Sequence, residues 1–93
     1  MIPESFRQII LEKVQPLHPV SVAVFGSYAR GNQTSASDLD ILIDTNSHFN
    51  ILDLIGIEQE LSEALGVQVD LVTKRSLSPH FKPHIEKNLM QLM

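Results

Sequence analysis

Hydrophobic side chains change their spacing several times along this chain, and each change predicts a new secondary-structure element. The opening segment repeats apolar residues at helical spacing, which predicts an amphipathic helix that ends near Pro16 and Pro19. Residues 20–25 are mainly apolar and half of them are the β-branched valine, as in a buried strand, and they stop at Gly26. Residues 27–37 are small and polar, which favours one short helical turn followed by a loop.

The middle of the chain predicts a second strand and the longest helix. Residues 38–44 alternate acidic and aliphatic side chains, so one face of this strand carries the acids. Residues 51–65 have helical spacing, with Asn50 as a candidate N-cap and Gly66 as the C-terminal stop. The apolar stripe of this helix is expected to be Ile51, Leu54, Ile55, Leu61 and Leu65.

The last third predicts one more strand and one more helix. Residues 67–73 alternate so that Asp70 lies on the face opposite the aliphatic side chains. After Ser78 and Pro79, the spacing of Phe81, Ile85, Leu89 and Leu92 favours a final helix that starts near Pro83. The elements together predict an α/β (α+β) fold, with a small mixed sheet, flanking helices and a single domain over residues 1–93.

Composition narrows the class of protein. A chain of 93 residues supports one hydrophobic core, and a domain this small gains from partner subunits, so an oligomer is plausible. The absence of cysteine excludes disulfides and thiolate metal sites, and no apolar run is long enough to span a bilayer, so we expect a cytoplasmic protein. The net charge of −4 gives no strong case for direct binding to nucleic acid.

Candidate chemistry concentrates between Gly26 and Asp40. Gly26 ends a strand without a side chain and Ser27 begins a helical turn, so their backbone could hold phosphate groups. Asp38 and Asp40 are two positions apart on a strand, and their side chains point the same way. Asp70 could join them if the two strands are neighbours, which would form a carboxylate cluster suited to magnesium.

Other polar and aromatic residues have two interpretations each. Arg30, Lys74 and Arg75 could be solvated or could contact phosphate, with Arg30 the best placed of the three because it follows Ser27 by one short turn. Tyr28 could stack on a base, but covering the core is the favoured interpretation. The histidines are scattered, and His80 and His84 are expected to be a surface pair because Pro83 separates them. Asp44 is interpreted as a residue of the turn that ends its strand.

The segment from Gly26 to Asp40 resembles the signature of the minimal nucleotidyltransferases of the DNA polymerase β-like superfamily. That signature is Gly-Ser, ten residues and Asp-x-Asp, and Gly26-Ser27 and Asp38-Leu39-Asp40 match it without a gap. Asp70 occupies the place of the third family carboxylate on a later strand. The resemblance covers nearly the whole chain.

The resemblance implies a chemistry and a partner. Such proteins transfer a nucleoside monophosphate, usually from ATP, to a hydroxyl, which implies two Mg²⁺ ions. Asp38, Asp40 and Asp70 would hold the metal, Asp70 would also act as base, and Gly26, Ser27 and Arg30 would hold the triphosphate. Many members are antitoxins that modify a tyrosine of an all-helical HEPN toxin.

Two other functions are compatible with the same sequence. The chain could neutralise its partner by covering a surface, without catalysis. It could also modify a small molecule or an RNA end, although relatives with that activity carry an additional domain to hold the acceptor.

Overall fold

The computed structural model describes residues 2–34, 36–77, 79–80, 83, 85 and 88–93. The helices in these residues are α1 (Glu4–Lys13), α2 (Ser27–Arg30) and α3 (Ile51–Leu65). The strands are β1 (Pro19–Phe25), β2 (Leu39–Thr45), β3 (Val69–Thr73) and β4 (Met90–Gln91). Two 3₁₀ turns, Gln15–Leu17 and Lys74–Ser76, precede β1 and follow β3. No helix in this described part of the chain is long and apolar enough to cross a bilayer.

The strands form one mixed sheet in the order β3-β2-β1-β4. β1 is antiparallel to both β2 and β4, whereas β2 and β3 are parallel. A parallel pair needs a crossover connection, and α3 provides it. The predicted mixed sheet with flanking helices is therefore confirmed, and β2 and β3 start at the same edge of the sheet.

The hydrophobic core lies between the sheet and the two long helices, α1 and α3. Its centre consists of side chains with no exposed surface: Ile10, Val14, Val22, Val24, Leu39, Ile41, Ile43, Leu61 and Val69. Along each strand these residues alternate with others that face away from the helices. Asp40 and Asp70 are half-buried members of that second set, so the predicted alternation of β2 and β3 is confirmed.

Both ends of α3 lie where the sequence predicts them. The side chain of Asn50 accepts the backbone N–H of Asp53 at 2.9 Å, and the Asp53 carboxylate accepts the N–H of Asn50 at 3.3 Å, which is a capping box. Gly66 ends the helix with a φ of 72°. These local signals fix the helix bounds because each one satisfies backbone groups that the helix leaves unpaired.

The predicted apolar stripe of α3 is wrong at Ile51 and Ile55, whereas Leu54 packs against the core as predicted. Ile51 and Ile55 are 64% and 41% exposed, and Ile57 is buried instead, in line with Leu61 and Leu65. The first two turns of α3 are apolar on nearly every side, so spacing alone could not identify the face that meets the sheet.

The end of the chain also differs from the prediction. Pro83 and Ile85 are helical, while Phe81 and His84 lie outside the described residues. A helix that continues through Leu92 is wrong, because Met90 and Gln91 form β4 against β1, and the N–H of Leu92 donates to the carbonyl of Val22 at 2.8 Å. The free edge of β1 offers backbone partners that a helical pattern in the sequence does not reveal.

Side chains of α3 close the outer edge of β3. The N–H of Val69 donates to Oγ of Ser62 at 3.0 Å, and the N–H of Leu71 donates to Oε2 of Glu58 at 2.7 Å. An edge strand with unpaired N–H groups invites pairing with other chains. These two contacts satisfy the strand and join it to the helix.

We expect Glu58→Ala to lower the free energy of unfolding by about 1–2 kcal/mol, because the half-buried N–H of Leu71 loses its acceptor. Glu58→Gln keeps an acceptor oxygen and should lose less. Urea denaturation of both variants measures the difference. Equal losses in the two variants would show that the hydrogen bond to Leu71 does not stabilise the fold.

Candidate active site

The register of the two parallel strands brings Asp40 and Asp70 side by side. Their Cα atoms are partners in the β2–β3 ladder, and both side chains face away from the helices. The Asp70 carboxyl acts on that of Asp40 through its charge and through a side-chain hydrogen bond. Two acids therefore meet at the edge where β2 and β3 begin, as expected if the strands were neighbours.

This arrangement makes negative charge costly at Asp40. The pKa of Asp40 is raised to about 6 from an ordinary value of 3.8, and burial is the largest cause. The Asp70 carboxylate contributes to this rise through its charge and its hydrogen bond, and the charge of Asp38 contributes less. The guanidinium of Arg30 acts in the opposite direction. The site consequently has an excess of negative charge that a bound cation would relieve.

Gly26 lies against Asp40 and leaves room for its carboxylate. Phe25, the last residue of β1, is the partner of Asp40 across the sheet, and Gly26 follows it with a φ of 74°. A Cβ at Gly26 would overlap with Oδ2 of Asp40. The sequence suggested that this glycine lets a phosphate approach, but it did not reveal the contact with the acid, which follows from the strand pairing.

The remaining candidate residues surround this pair. Ser27 is half-buried at the start of α2, and Arg30, at the end of the same short helix, is exposed. Asp38 is exposed and directly precedes β2. Tyr28 is buried in the core cluster, which favours the interpretation that it covers the core.

Lys74 and Arg75 lie at the other end of β3. Arg75 donates to the carbonyl oxygens of Thr45 and Ser47 at 2.8 and 3.0 Å, and its guanidinium lies 5.8 Å from the centre of the Phe49 ring. These carbonyls follow the C-terminal end of β2, whereas Asp40 is near its start. Arg75 therefore holds the loop after β2 and does not lie in a phosphate site beside the acids.

Comparison with known proteins matches this chain to a family. The nucleotidyltransferase domain family matches residues 4–92. The chain belongs to this family.

Similar proteins extend the match. A Methanocaldococcus jannaschii protein assigned as a protein adenylyltransferase is 48% identical over 92 residues, which cover 98% of this chain and 94% of that protein. A solved structure described as a minimal nucleotidyltransferase has a TM-score of 0.81 at 32% identity, over 94% of this chain and 89% of that one. A chain in the structure of a toxin–antitoxin with AMP-PNP has a TM-score of 0.83 at 28% identity, over 94% of this chain and 72% of that one.

Membership gives the chain its chemical class, the transfer of nucleotidyl groups. Within the described residues, no three His, Cys, Asp or Glu side chains form a ready-made metal cage. Magnesium usually takes only one or two protein carboxylates and completes its shell with phosphate oxygens and water. The pair Asp40 and Asp70, with Asp38 nearby, is thus a sufficient donor set for this ion.

Charge at Asp40 should make the stability of the nucleotidyltransferase depend on pH. The folded chain binds the Asp40 proton more tightly than the unfolded chain, so the free energy of unfolding should fall as the pH rises from about 4 to about 6. In EDTA near neutral pH, Asp40→Asn should raise that free energy by on the order of 1 kcal/mol or less, because water screens this half-exposed group.

The gain from Asp40→Asn should vanish near pH 4, where the wild-type carboxyl is already protonated. Urea denaturation at the two pH values tests this, with Asp44→Asn, a half-buried acid farther along β2, as the matched control. A gain that is equal at both pH values, or equal in the control, would contradict the electrostatic origin.

A side chain at Gly26 should damage the site more than the fold. Gly26→Ala should displace the Asp40 carboxylate and lower transfer activity at least tenfold, because the added Cβ overlaps with that oxygen. Gly31→Ala is the matched control, since Gly31 has a similar φ of 76° but no atom within 4 Å of the added Cβ. Thermal unfolding should show similar losses of stability in both variants, and equal activity losses would contradict the steric account.

Proposed function

We propose that this nucleotidyltransferase transfers AMP from ATP to a hydroxyl group of a partner protein. The observation that carries the proposal is the pairing of Asp40 and Asp70 beside the Gly26-Ser27 turn. The similarity to a protein assigned as a protein adenylyltransferase supports the protein acceptor. The similarity to a toxin–antitoxin chain solved with AMP-PNP supports an adenine nucleotide as the donor.

Mg²⁺ fits the acids at this edge. Asp38, Asp40 and Asp70 offer hard oxygen donors, and the raised pKa of Asp40 reflects the negative charge that a cation would offset. When bound, two Mg²⁺ ions would supply charge neutralisation at the attacking and leaving oxygens of the transfer. Asp38 and Asp40 would hold these ions, with a further contact from Asp70.

The chain's own residues have distinct roles in the proposed reaction. The backbone of Gly26 and Ser27, with the guanidinium of Arg30, binds the triphosphate and orients it. The acceptor oxygen forms a bond to the α-phosphorus while the bond to the pyrophosphate oxygen breaks, and pyrophosphate leaves. Asp70 accepts the proton of the acceptor hydroxyl.

We further propose that the acceptor is a tyrosine of an all-helical HEPN toxin and that the chain acts as the antitoxin, as the family resemblance implies. The reaction would take place in the cytoplasm, in a complex of the two proteins. Residues 1–93 would act as one nucleotidyltransferase domain, since the match to the family extends over residues 4–92.

The test is label transfer from ATP to a HEPN-family protein from the same genome, with Mg²⁺ present. Label at the α-phosphate should appear on the partner, while label at the γ-phosphate should leave with pyrophosphate. Asp38→Asn, Asp40→Asn and Asp70→Asn should each reduce transfer by roughly two to four orders of magnitude, as expected for metal-binding and base residues. EDTA should abolish it.

Asp44→Asn is the control variant, because Asp44 lies on the same face of β2 as Asp40 but outside the acidic pair. It should transfer label at the wild-type rate. Full neutralisation of the partner by Asp40→Asn, with no label transferred by the wild type, would overturn the enzymatic proposal and favour a protein that acts by covering a surface.

A further inference from the structure

A second surface lies at the end of the sheet opposite the acids. An open groove of about 460 Å³ runs between the 3₁₀ turn before β1, the loop after β2 and the first half of α3. Residues that define it are Leu17, Phe49, Leu52, Gly56, Ile57 and Glu60. Pro19 pairs with Thr45 at one end of β1, and Phe25 pairs with Asp40 at the other. The groove is therefore separated by the length of β1 from the end of the sheet that carries Asp40 and Asp70, here called the catalytic edge.

The walls of the groove are fixed by hydrogen bonds within the chain. The hydroxyl of Thr45 donates to the carbonyl of Leu17 at 2.7 Å, which ties the end of β2 to the 3₁₀ turn. Arg75 holds the following loop through the carbonyls of Thr45 and Ser47 and lies over the Phe49 ring. These contacts fix the shape of the groove as part of the fold.

Exposed apolar side chains continue from the groove around the first turns of α3. Leu52 lines the groove and is 73% exposed, and Ile51 and Ile55, which lie outside the groove, are also exposed large hydrophobics. A helix that is apolar on all sides is normally buried on all sides. The described residues cover only one side of this part of α3. The exposed apolar side therefore has the character of a surface that binds another protein.

Gly56 forms a notch in the middle of this surface. It lies one turn from both Leu52 and Glu60 in the interior of α3, where glycine weakens a helix relative to alanine. A Cβ at Gly56 would have no atom within 4 Å, so packing inside the chain does not explain the glycine. A glycine in such a place lets the backbone of another element approach closely.

Charge identifies the kind of partner. α3 contains the acids Asp53, Glu58, Glu60 and Glu63 and no basic residue. Asp53 and Glu60 line the groove together with His48. Arg75, which lies over the Phe49 ring, donates its hydrogen bonds to backbone carbonyls. A second copy of this chain would bring two acidic helices together, whereas a helix with basic residues would be attracted.

We propose that this groove docks an α-helix of the partner protein, a helix with an apolar stripe flanked by Lys or Arg. The helix crosses α3 at Gly56, packs against Leu52 and Phe49, and places its cations against Asp53 and Glu60. This proposal rests on the proposed function, since the partner is the protein acceptor. Docking at this end raises the local concentration of the acceptor hydroxyl without occupying the catalytic edge.

The test measures binding to the same HEPN-family protein, by calorimetry without nucleotide. Gly56→Gln fills the notch and should raise the Kd at least tenfold, and Glu60→Lys should do the same by reversing the charge. Ala64→Gln, an exposed position at the end of α3 outside the groove, is the matched control and should bind as the wild type does.

Thermal unfolding separates docking from folding. Gly56→Gln should unfold at the wild-type temperature or above it, because glutamine favours a helix more than glycine does, and ATP with Mg²⁺ should stabilise it as much as the wild type. A Kd within twofold of wild type for Gly56→Gln, or a self-associated wild type that Gly56→Gln makes monomeric, would overturn the proposed occupant.

Failure of the proposed function gives a different result from failure of the docking site. If the wild type binds the partner but transfers no label, and Gly56→Gln still weakens binding, the docking surface stands and the transfer to protein fails. If the wild type labels the partner and Gly56→Gln labels it with an unchanged KM, the transfer stands and the docking surface fails.

Discussion

The approach of two carboxylates across a parallel strand pair is the constraint on which the rest of this molecule depends. Asp40 and Asp70 repel when both are charged, so the fold must hold them together against that repulsion. It does so through register, because the aliphatic neighbours Leu39, Ile41 and Leu71 are buried on the opposite face. A slip of one residue would move the acids into the core and the aliphatic side chains into water.

The same constraint explains the residue that precedes the short helix. Where β1 ends, a backbone without a Cβ is required, since the Asp40 carboxylate fills the space that a side chain would take. Gly26 therefore serves the acid as well as any bound phosphate. One small residue couples the two halves of the site, the turn proposed to bind the triphosphate and the strand that carries the acids.

Local patterns in the sequence predicted much of this architecture. The alternation at residues 38–44 and 67–73 identified the strands and the face of each acid, and Asn50 and Gly66 marked the ends of α3. Sequence could not predict the exposed flank of α3, because its first turns are apolar around the whole circumference. It also missed β4, since a two-residue strand depends on the free edge of β1 more than on its own residues.

The exposed flank of α3 and the acidic edge depend on each other through the connection between β2 and β3. A parallel pair requires the chain to return to its starting edge, so α3 begins at the end of the sheet opposite the acids. Its first turns pack against the core through Ile57 while Leu52 and Gly56 face outward. The topology that joins Asp40 to Asp70 thus also creates a separate surface at the far end, so a partner helix held there would leave the acidic edge open to its acceptor hydroxyl and to the nucleotide.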